Sequence, residues 1–250
     1  MSEPQGGDAV YRHALPTRLW HWTNVVCVTV MLMSGLMIFN AHPRLYWGQA
    51  GTNTPGHADP AWLDLSAVNG GIPFPGWITI PSHYSLADAR LWHFAFAWVL
   101  VVALVLYLGW GLLRGHLRRD LAPRLAELHP AHVWHDVKEH ARLRFPTGAA
   151  ARNYNVLQKL AYGTVLMVLL PGVVLTGMTM SPALNAAVPW LVDLFGGRQS
   201  ARSVHFLCAA GLVGFFLIHI AMVLLAGPIN EVRSMLTGWY RLPLDRKEAP

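Results

Sequence analysis

Two histidines lie in one long apolar stretch near the C-terminal end of the chain. The stretch, VHFLCAAGLVGFFLIHIAMVLLAG, runs from Val204 to Gly227 without any Asp, Glu, Lys or Arg, and it is long enough to cross a bilayer as a helix. His205 and His219 are 14 residues apart, so they return to within roughly 40° of one azimuth and are separated by a rise of roughly 21 Å. Imidazole is a standard axial ligand of haem iron. The stretch therefore indicates either two stacked haems or two interfacial histidines that hydrogen-bond to neighbouring helices.

The composition is typical of a membrane protein. Of the 250 residues, 54% are hydrophobic and only 13% are charged, whereas about a quarter of a soluble domain is charged. The net charge of +6 does not indicate a nucleic-acid partner, because the basic residues lie in the connections between apolar segments. Cys27 and Cys208 fall inside apolar segments, and no CxxCH motif for covalent haem attachment is present.

Four apolar segments are long enough to span a bilayer, and no other stretch indicates a second domain. We therefore predict an all-α membrane protein, a four-transmembrane-helix bundle in which residues 1–250 form one membrane-embedded domain. Pro171-Gly172 interrupts the third segment and is expected to kink it. The predicted spans are about Leu19 to Asn40, Leu91 to Leu113, Leu157 to Met180, and Val204 to Gly227.

The distribution of basic residues predicts the orientation, because Lys and Arg concentrate in cytoplasmic connections. The predicted loop 41–89 has only Arg44 ahead of Arg90 at the start of the second span, and the third connection has Arg198 and Arg202. We therefore expect both termini and the loop 114–156 to be cytoplasmic in a bacterial inner membrane, with loop 41–89 periplasmic. The residues on the basic side are Arg12, Arg18, Arg114, Arg118, Arg119, Arg124, Lys138, Arg142, Arg144, Arg152, Arg233, Arg241, Arg246 and Lys247.

Two connections carry further signals. The long loop 41–89 is rich in Gly, Pro and aromatic residues, which is typical of a lid or a docking platform for a soluble partner. The cytoplasmic loop contains four clustered histidines. A metal site there is the less favoured interpretation, because Pro130 and the apolar pattern after it predict a helix that lies on the membrane surface. The clustered histidines are His129, His132, His135 and His140.

The orientation predicts which membrane histidines meet. His21 begins the first span on the cytoplasmic side, and His93 begins the second span on the periplasmic side. The fourth span also enters from outside, so His205 is periplasmic and His219 cytoplasmic. The expected pairs are His21 with His219 and His93 with His205, each a bis-histidine haem site.

Arginines near these histidines are candidates to bind the haem propionates. Arg18 lies beside His21, and Arg90 and Arg202 each precede a periplasmic-side histidine by three residues. Each arginine is equally typical of an interfacial anchor. Small residues could give a flat macrocycle room, or simply let helices approach; they are Gly35, Ala95, Ala97, Gly172, Gly177, Ala209, Gly211 and Gly214.

Several stretches resemble the bacterial cytochrome b561 and nickel-hydrogenase cytochrome b group, which includes formate dehydrogenase gamma subunits and thiosulfate-reductase-type subunits. They are HALPTRLWHWTN, FNAHPRLYWG, LWHFAFAW, NYNVLQKLAYGTVLMVLLPGVVLTGMTMSP, VHFLCAAGLVGFFLIHI and NEVRSMLTGWY. The resemblance implies two b-type haems with His21, His93, His205 and His219 as axial ligands. It also implies electron transfer between the quinone pool and a periplasmic oxidoreductase or cytochrome partner, with FNAHPRLYWG closest to members that accompany a molybdoenzyme.

We therefore expect an electron-transfer subunit of a membrane oxidoreductase that contacts lipid, quinone and a redox partner, with no nucleophile–base constellation of its own. Candidates to exchange protons with quinone are His13, Asn24, Lys159 and Tyr162. One alternative is a stand-alone quinone-linked oxidoreductase for a small outer-face species such as superoxide, drawn in by Arg90, Arg198 and Arg202. The other is a haem-free membrane scaffold or transporter.

Overall fold

The computed structural model describes residues 5–51, 60–142, 146–148, 151 and 153–244. Four of the basic residues used to predict the orientation, and part of the predicted periplasmic loop, lie outside the described residues. The four are Arg144, Arg152, Arg246 and Lys247.

Among the described residues, four helices are long and apolar enough to cross a membrane, and each overlaps one of the predicted spans. Many of their apolar side chains are exposed, and at most 22% of the most apolar window of any of them is buried within the protein. Such surfaces are stable only against lipid. The predicted all-α membrane protein with four spanning helices is confirmed. The first to fourth spans are Leu15–Asn40, Leu86–Leu113, Val156–Met180 and Arg198–Ala226.

Local sequence signals explain where the spans begin, bend and end. Asn155 caps the third span through a reciprocal pair of hydrogen bonds with Gln158 (2.9 and 3.1 Å). A π-helical turn, Val165–Leu169, comes just before Pro171, whose ring nitrogen cannot donate to a carbonyl four residues earlier. Gly227 ends the fourth span with φ at +108°, a conformation that glycine adopts without steric cost.

The chain forms two compact units, and each unit contains one end of every span. The first unit comprises Met1–Trp22, Ala103–Leu166 and Gly214–Pro250, and the second comprises Thr23–Val102 and Met167–Val213. Every contact discussed below lies within one unit.

In the first unit, strand Ala9–Tyr11 pairs antiparallel with strand Trp239–Arg241. Helix Pro228–Thr237 precedes the second of these strands. Two side chains at the start of the first span bind this helix: Arg18 donates a hydrogen bond to the Leu236 carbonyl, and Trp22 donates one to the Met235 carbonyl.

The segment of the first unit between the second and third spans contains the helix Pro130–Ala141, as the sequence predicts. It also has a π turn, Leu117–Leu121, and a 3₁₀ turn, Leu125–Leu128. Lys159 binds both carboxylate oxygens of Glu127 (2.9 and 2.8 Å). Among the described residues, no group of three or more His, Cys, Asp or Glu side chains is placed to hold a metal ion, so the clustered histidines gain no support as a metal site.

In the second unit, the loop after the first span is folded rather than extended. Strand Arg44–Leu45 pairs with strand Leu63–Asp64, and two 3₁₀ turns follow at Val68–Gly71 and Gly76–Ile78. Two short helices, Pro182–Ala187 and Trp190–Leu194, connect the third span to the fourth.

Serines on the first turns of the fourth span hold this loop. Ser203 donates to the Tyr46 carbonyl (2.6 Å) and accepts from the Trp62 indole (2.9 Å), while Ser200 accepts from the backbone N–H of Gly48 (2.7 Å). Two of these hydrogen bonds join the loop backbone, at Tyr46 and Gly48, to the fourth span, which lies more than 150 residues later in the sequence. The described part of the loop therefore forms a lid packed on the beginning of that helix.

Candidate functional site

His93 and His205 lie opposite each other within the second unit, and we call them the second pair. Their ring centroids are 6.2 Å apart and their planes are inclined by 56°. Two metal–nitrogen bonds of about 2 Å, with roughly 1.1 Å from each nitrogen to its ring centre, add up to about 6 Å. The separation therefore fits two imidazoles that share one metal ion.

The hydrogen bonds of this pair fix which ring nitrogen is free. Ser34 Oγ lies 3.1 Å from His93 Nδ1, and Thr176 Oγ1 lies 3.0 Å from His205 Nδ1. Each hydroxyl already donates its only proton to a backbone carbonyl, Ser34 to Val30 (2.7 Å) and Thr176 to Gly172 (2.5 Å). The Met31 carbonyl lies 3.1 Å from His93 Nδ1 and can only accept, so this Nδ1 donates. With its own proton on the Gly172 carbonyl, the Thr176 hydroxyl accepts from His205 Nδ1. This tautomer leaves each Nε2 lone pair available to a metal.

Glycines let both rings approach the neighbouring helices closely. A Cβ atom on Gly35 would lie 3.5 Å from His93 Cε1, and one on Gly177 would lie 3.5 Å from His205 Cε1. Each glycine directly follows the hydroxyl residue that binds the same ring, so Ser34-Gly35 and Thr176-Gly177 form two matching cradles.

Beside the rings lies an apolar pocket with a cavity volume of about 60 Å³. Both histidines of the second pair line it, and Ala209 is among its small side chains. Apart from the two imidazoles, the lining is aliphatic; it includes Val28, Met31, Leu32, Leu100 and Val173. A flat, apolar macrocycle bound by its metal suits such a lining.

His21 and His219 form the first pair, within the first unit. Their centroids are 6.3 Å apart and their planes are inclined by 61°, so this separation also fits two ligands of one metal. Aromatic rings flank the pair: Phe215 stacks on His219 at 5.7 Å, and Trp22 meets His21 edge-on at 5.0 Å. His21 Nδ1 is buried and has no hydrogen-bond partner in the described part of the chain.

Further unsatisfied buried atoms lie near His21 in sequence. Among the described residues, Arg12 Nε, Thr17 Oγ1 and Arg18 Nε have no hydrogen-bond partner. Leaving a buried polar group unpaired costs about 1–3 kcal/mol. Arg12 lies 4.0 Å from Glu231, and Arg18 donates through another nitrogen to the Leu236 carbonyl, so their Nε atoms remain as donors for an anionic group such as a propionate.

The predicted arginines do not share one environment. Arg18 is half-buried one turn before His21. Arg202 is half-buried, donates to the His42 carbonyl, and lies over the Phe39 ring at 5.9 Å. Arg90 is exposed and lies over the Phe94 ring at 5.6 Å. Of these three arginines, Arg18 is the one that lies near other buried polar atoms without a described hydrogen-bond partner, those of Thr17 and His21.

Electrostatics outside the spans favour a neutral histidine beside the first pair. Burial, reinforced by the charge of Arg12, lowers the pKa of His13 from 6.5 to about 4. Burial also raises the pKa of Tyr154, whose hydroxyl lies 3.4 Å from His13 Nδ1. Both groups are therefore neutral near pH 7.

A family model described as prokaryotic cytochrome b561 matches residues 12–238. The chain belongs to this family. It is therefore a multi-pass membrane cytochrome of the b type, an electron-transfer subunit that binds b-type haem, and the haem-free alternative loses its support.

Curated relatives of this cytochrome are subunits of larger enzymes by name. A putative protein-methionine-sulfoxide reductase subunit YedZ1 of Azospira oryzae is 29% identical over 83% of this chain and 87% of the relative. A probable Ni/Fe-hydrogenase B-type cytochrome subunit of Azotobacter vinelandii is 23% identical over 96% of this chain and 92% of its own. A probable Ni/Fe-hydrogenase B-type cytochrome subunit of Cupriavidus necator is 22% identical over 92% of this chain and 86% of the relative. No solved structure matches the cytochrome.

The sequence predicts which histidines meet but misses what orients them. The hydroxyls of Ser34 and Thr176 were not among the predicted site residues, although each stands directly before a glycine inside an apolar span. Of the proposed proton-exchanging residues, Lys159 is committed to Glu127, and Tyr162 packs edge-on against Tyr154 and Phe215. Asn24 belongs to the second unit, whereas the other three belong to the first.

Proposed function

We propose that this cytochrome binds two b-type haems and carries electrons between them. One haem would be held by His21 and His219, and the other by His93 and His205. The main support is the distance between the ring centroids of each histidine pair, 6.3 and 6.2 Å, which suits two ligands of one iron. A b-type haem supplies a carrier of one electron.

The protein's own residues prepare the two positions. The Met31 carbonyl and the Thr176 hydroxyl hold the second pair in the tautomer that offers Nε2, and Gly35 and Gly177 leave its rings room. Arg18 offers an unpaired buried donor to a propionate of the first haem. Because one continuous helix carries His205 and His219, their 14-residue spacing corresponds to two depths about 21 Å apart along its axis.

The deciding experiment is a reduced-minus-oxidised spectrum with haem extraction on the purified full chain. We expect two b-haems per chain. His21→Ala and His219→Ala should remove one and the same haem, while His93→Ala and His205→Ala remove the other. His83→Ala and His132→Ala, which change histidines outside both pairs, are the matched controls. A single haem per chain, or four variants that all lose the same haem, would refute the proposal.

We place the cytochrome in a bacterial inner membrane with both termini cytoplasmic, following the distribution of its basic residues. It would exchange electrons with the quinone pool and with a periplasmic oxidoreductase. The names of its relatives, which are subunits of a reductase and of hydrogenases, support an enzyme partner. The folded lid on the fourth span is the natural surface for it.

Reporter fusions test this orientation. A reporter that works only in the cytoplasm should be active after Arg241 and inactive within the lid at Asn69, and a periplasmic reporter should give the opposite pattern. The reverse result would move the proposed partner to the cytoplasmic side.

A further inference from the structure

A chain of three polar side chains leads from the surface of the first unit into its interior. Asp120 is 48% exposed and lies 2.6 Å from His116 Nδ1. The His116 ring is 14% exposed, and its Nε2 lies 3.3 Å from the Tyr107 hydroxyl. Tyr107, inside the second span, is only 6% exposed.

The order of these groups suits proton transfer. A carboxylate can only accept, so His116 Nδ1 donates to Asp120, and the neutral ring then accepts from Tyr107 at Nε2. A proton that leaves Tyr107 arrives on Nε2 while the Nδ1 proton passes to Asp120 and on to water. The reverse sequence brings a proton inward. Either direction needs only short shifts of protons along hydrogen bonds that already exist.

The inner end of this chain adjoins the region of the first pair. The Trp20 ring stacks on Tyr107 at 5.1 Å with planes 6° apart, and Trp20 directly precedes His21. The Thr17 hydroxyl lies beside the Tyr107 phenol but completes no hydrogen bond within the described residues. Thr17 and His21 are four residues apart, and therefore lie on one helix face, and each has a buried polar atom that a ligand could satisfy.

We propose that Asp120, His116 and Tyr107 form a proton relay for a quinone that reacts beside the first pair. This inference rests on the proposed function. Oxidation of a quinol to a quinone releases two electrons and two protons; the electrons enter the cytochrome, and protons leave through Tyr107, His116 and Asp120 to water. Reduction of a quinone runs the same route inward. The buried tyrosine is the group that meets the quinone oxygen, and the exposed aspartate is the group that meets water.

Two other titratable groups act on this relay electrostatically. His13 is influenced by the charge of His116, and Tyr154 by that of Asp120. Both favour the neutral form near pH 7, so neither supplies a competing charge there.

The test is a stopped-flow measurement of haem reduction by a short-chain quinol, using the purified, haem-loaded full chain. Tyr107→Phe keeps the ring that stacks on Trp20 and removes only the hydroxyl. We expect Tyr107→Phe, His116→Ala and Asp120→Asn each to slow quinol-driven reduction by about tenfold or more. Reduction by dithionite, which needs no proton relay, should be unchanged. Asp88→Asn is the matched control, because Asp88 also pairs with a histidine, His83 at 3.5 Å, but at an exposed position in the second unit.

Two further readouts distinguish a proton relay from a purely structural role, here called a structural lock, in which the three side chains only stabilise the end of the second span. Added imidazole should restore a substantial part of the rate of His116→Ala, and the slowing in D₂O should be larger in Asp120→Asn than in the wild type. Equal slowing with quinol and dithionite would show a structural lock and overturn the relay. Unchanged quinol rates in all three variants would overturn the relay and leave the proposed function standing. A wild-type protein that quinol cannot reduce would overturn the quinone reaction and the relay together.

Discussion

The two histidine pairs have nearly the same spacing but are held by different means. In the second pair, His93 Nδ1 donates to the Met31 carbonyl and His205 Nδ1 to the Thr176 hydroxyl, and both rings rest on glycines. In the first pair, His219 is stacked on Phe215 and His21 has an unpaired Nδ1. Hydrogen bonds thus orient one pair, whereas ring packing orients the other.

This difference bears on how each pair would tune an iron atom. A donated hydrogen bond makes an imidazole a stronger electron donor to its metal, and so favours the oxidised iron. Ring stacking restricts orientation without adding electron density. We therefore expect the hydroxyls of Ser34 and Thr176 to affect the midpoint potential of a haem bound by the second pair. The midpoint potential of a haem bound by the first pair should depend more on nearby arginines and on protonation.

The largest expected effect comes from adding bulk to one cradle. Gly177→Leu would place side-chain atoms beyond the Cβ position, which is already 3.5 Å from His205, so the second haem should be lost while the first remains. Gly177→Ala should be tolerated, because 3.5 Å is an ordinary contact. Gly214→Leu is the control, since a Cβ there has open space. Haem content by extraction and the low-temperature spectrum measure the result; equal losses in Gly177→Leu and Gly214→Leu would contradict a specific cradle.

Acid should act on the first unit through His13. Its pKa is about 4 in the folded protein and 6.5 when free, so between these values the unfolded chain binds a proton that the folded chain does not. The free energy of unfolding therefore falls as the pH falls from about 6.5 to 4, by about 3 kcal/mol in total, and does not change further below pH 4 through this group.

We expect His13→Gln to flatten this dependence, measured as denaturant unfolding at several pH values with retention of the first haem as the probe. His83→Gln, which changes an exposed histidine in the second unit, should leave it intact. An unaltered acid profile in His13→Gln would show that other groups cause the instability.

The smallest expected effect distinguishes the pairs most sharply. Thr176→Val removes an acceptor from the His205 Nδ1 proton, a change of about 1 kcal/mol that corresponds to about 40 mV for one electron. The midpoint potential of the second haem should rise by about that amount, and that of the first should stay constant. Ser34→Ala should have a smaller effect, because the Met31 carbonyl at 3.1 Å still accepts from His93 Nδ1. Thr179→Val serves as control, because Thr179 is buried one turn beyond Thr176 and donates to the Thr176 carbonyl (2.7 Å) rather than to a histidine. Potentiometric titration gives both values; a fall in the potential of the second haem, or an equal shift in both, would contradict the assigned tautomers.

The sequence predicts those features that depend on spacing along one chain. The apolar lengths predict the four spans, and the 14-residue interval with two helix-entry histidines predicts which imidazoles meet. That the pairs bind haem through these four residues stays a prediction.

What the sequence leaves open depends on contacts between distant residues. Ser34 meets His93 across 59 residues and Thr176 meets His205 across 29, and such pairings appear only when the helices pack. The relay is an intermediate case: His116 and Asp120 have helical i,i+4 spacing that is visible in the sequence. Their link to Tyr107 depends on the turn that ends the second span.

One feature of the fourth span limits how this chain can vary in length. His205 and His219 belong to one uninterrupted helix, and thirteen residues separate them along it. Inserting or deleting a single residue there would rotate one histidine by about 100° relative to the other and remove it from its partner. The interval can therefore accept many substitutions of apolar side chains, whereas it should tolerate no change in its number of residues.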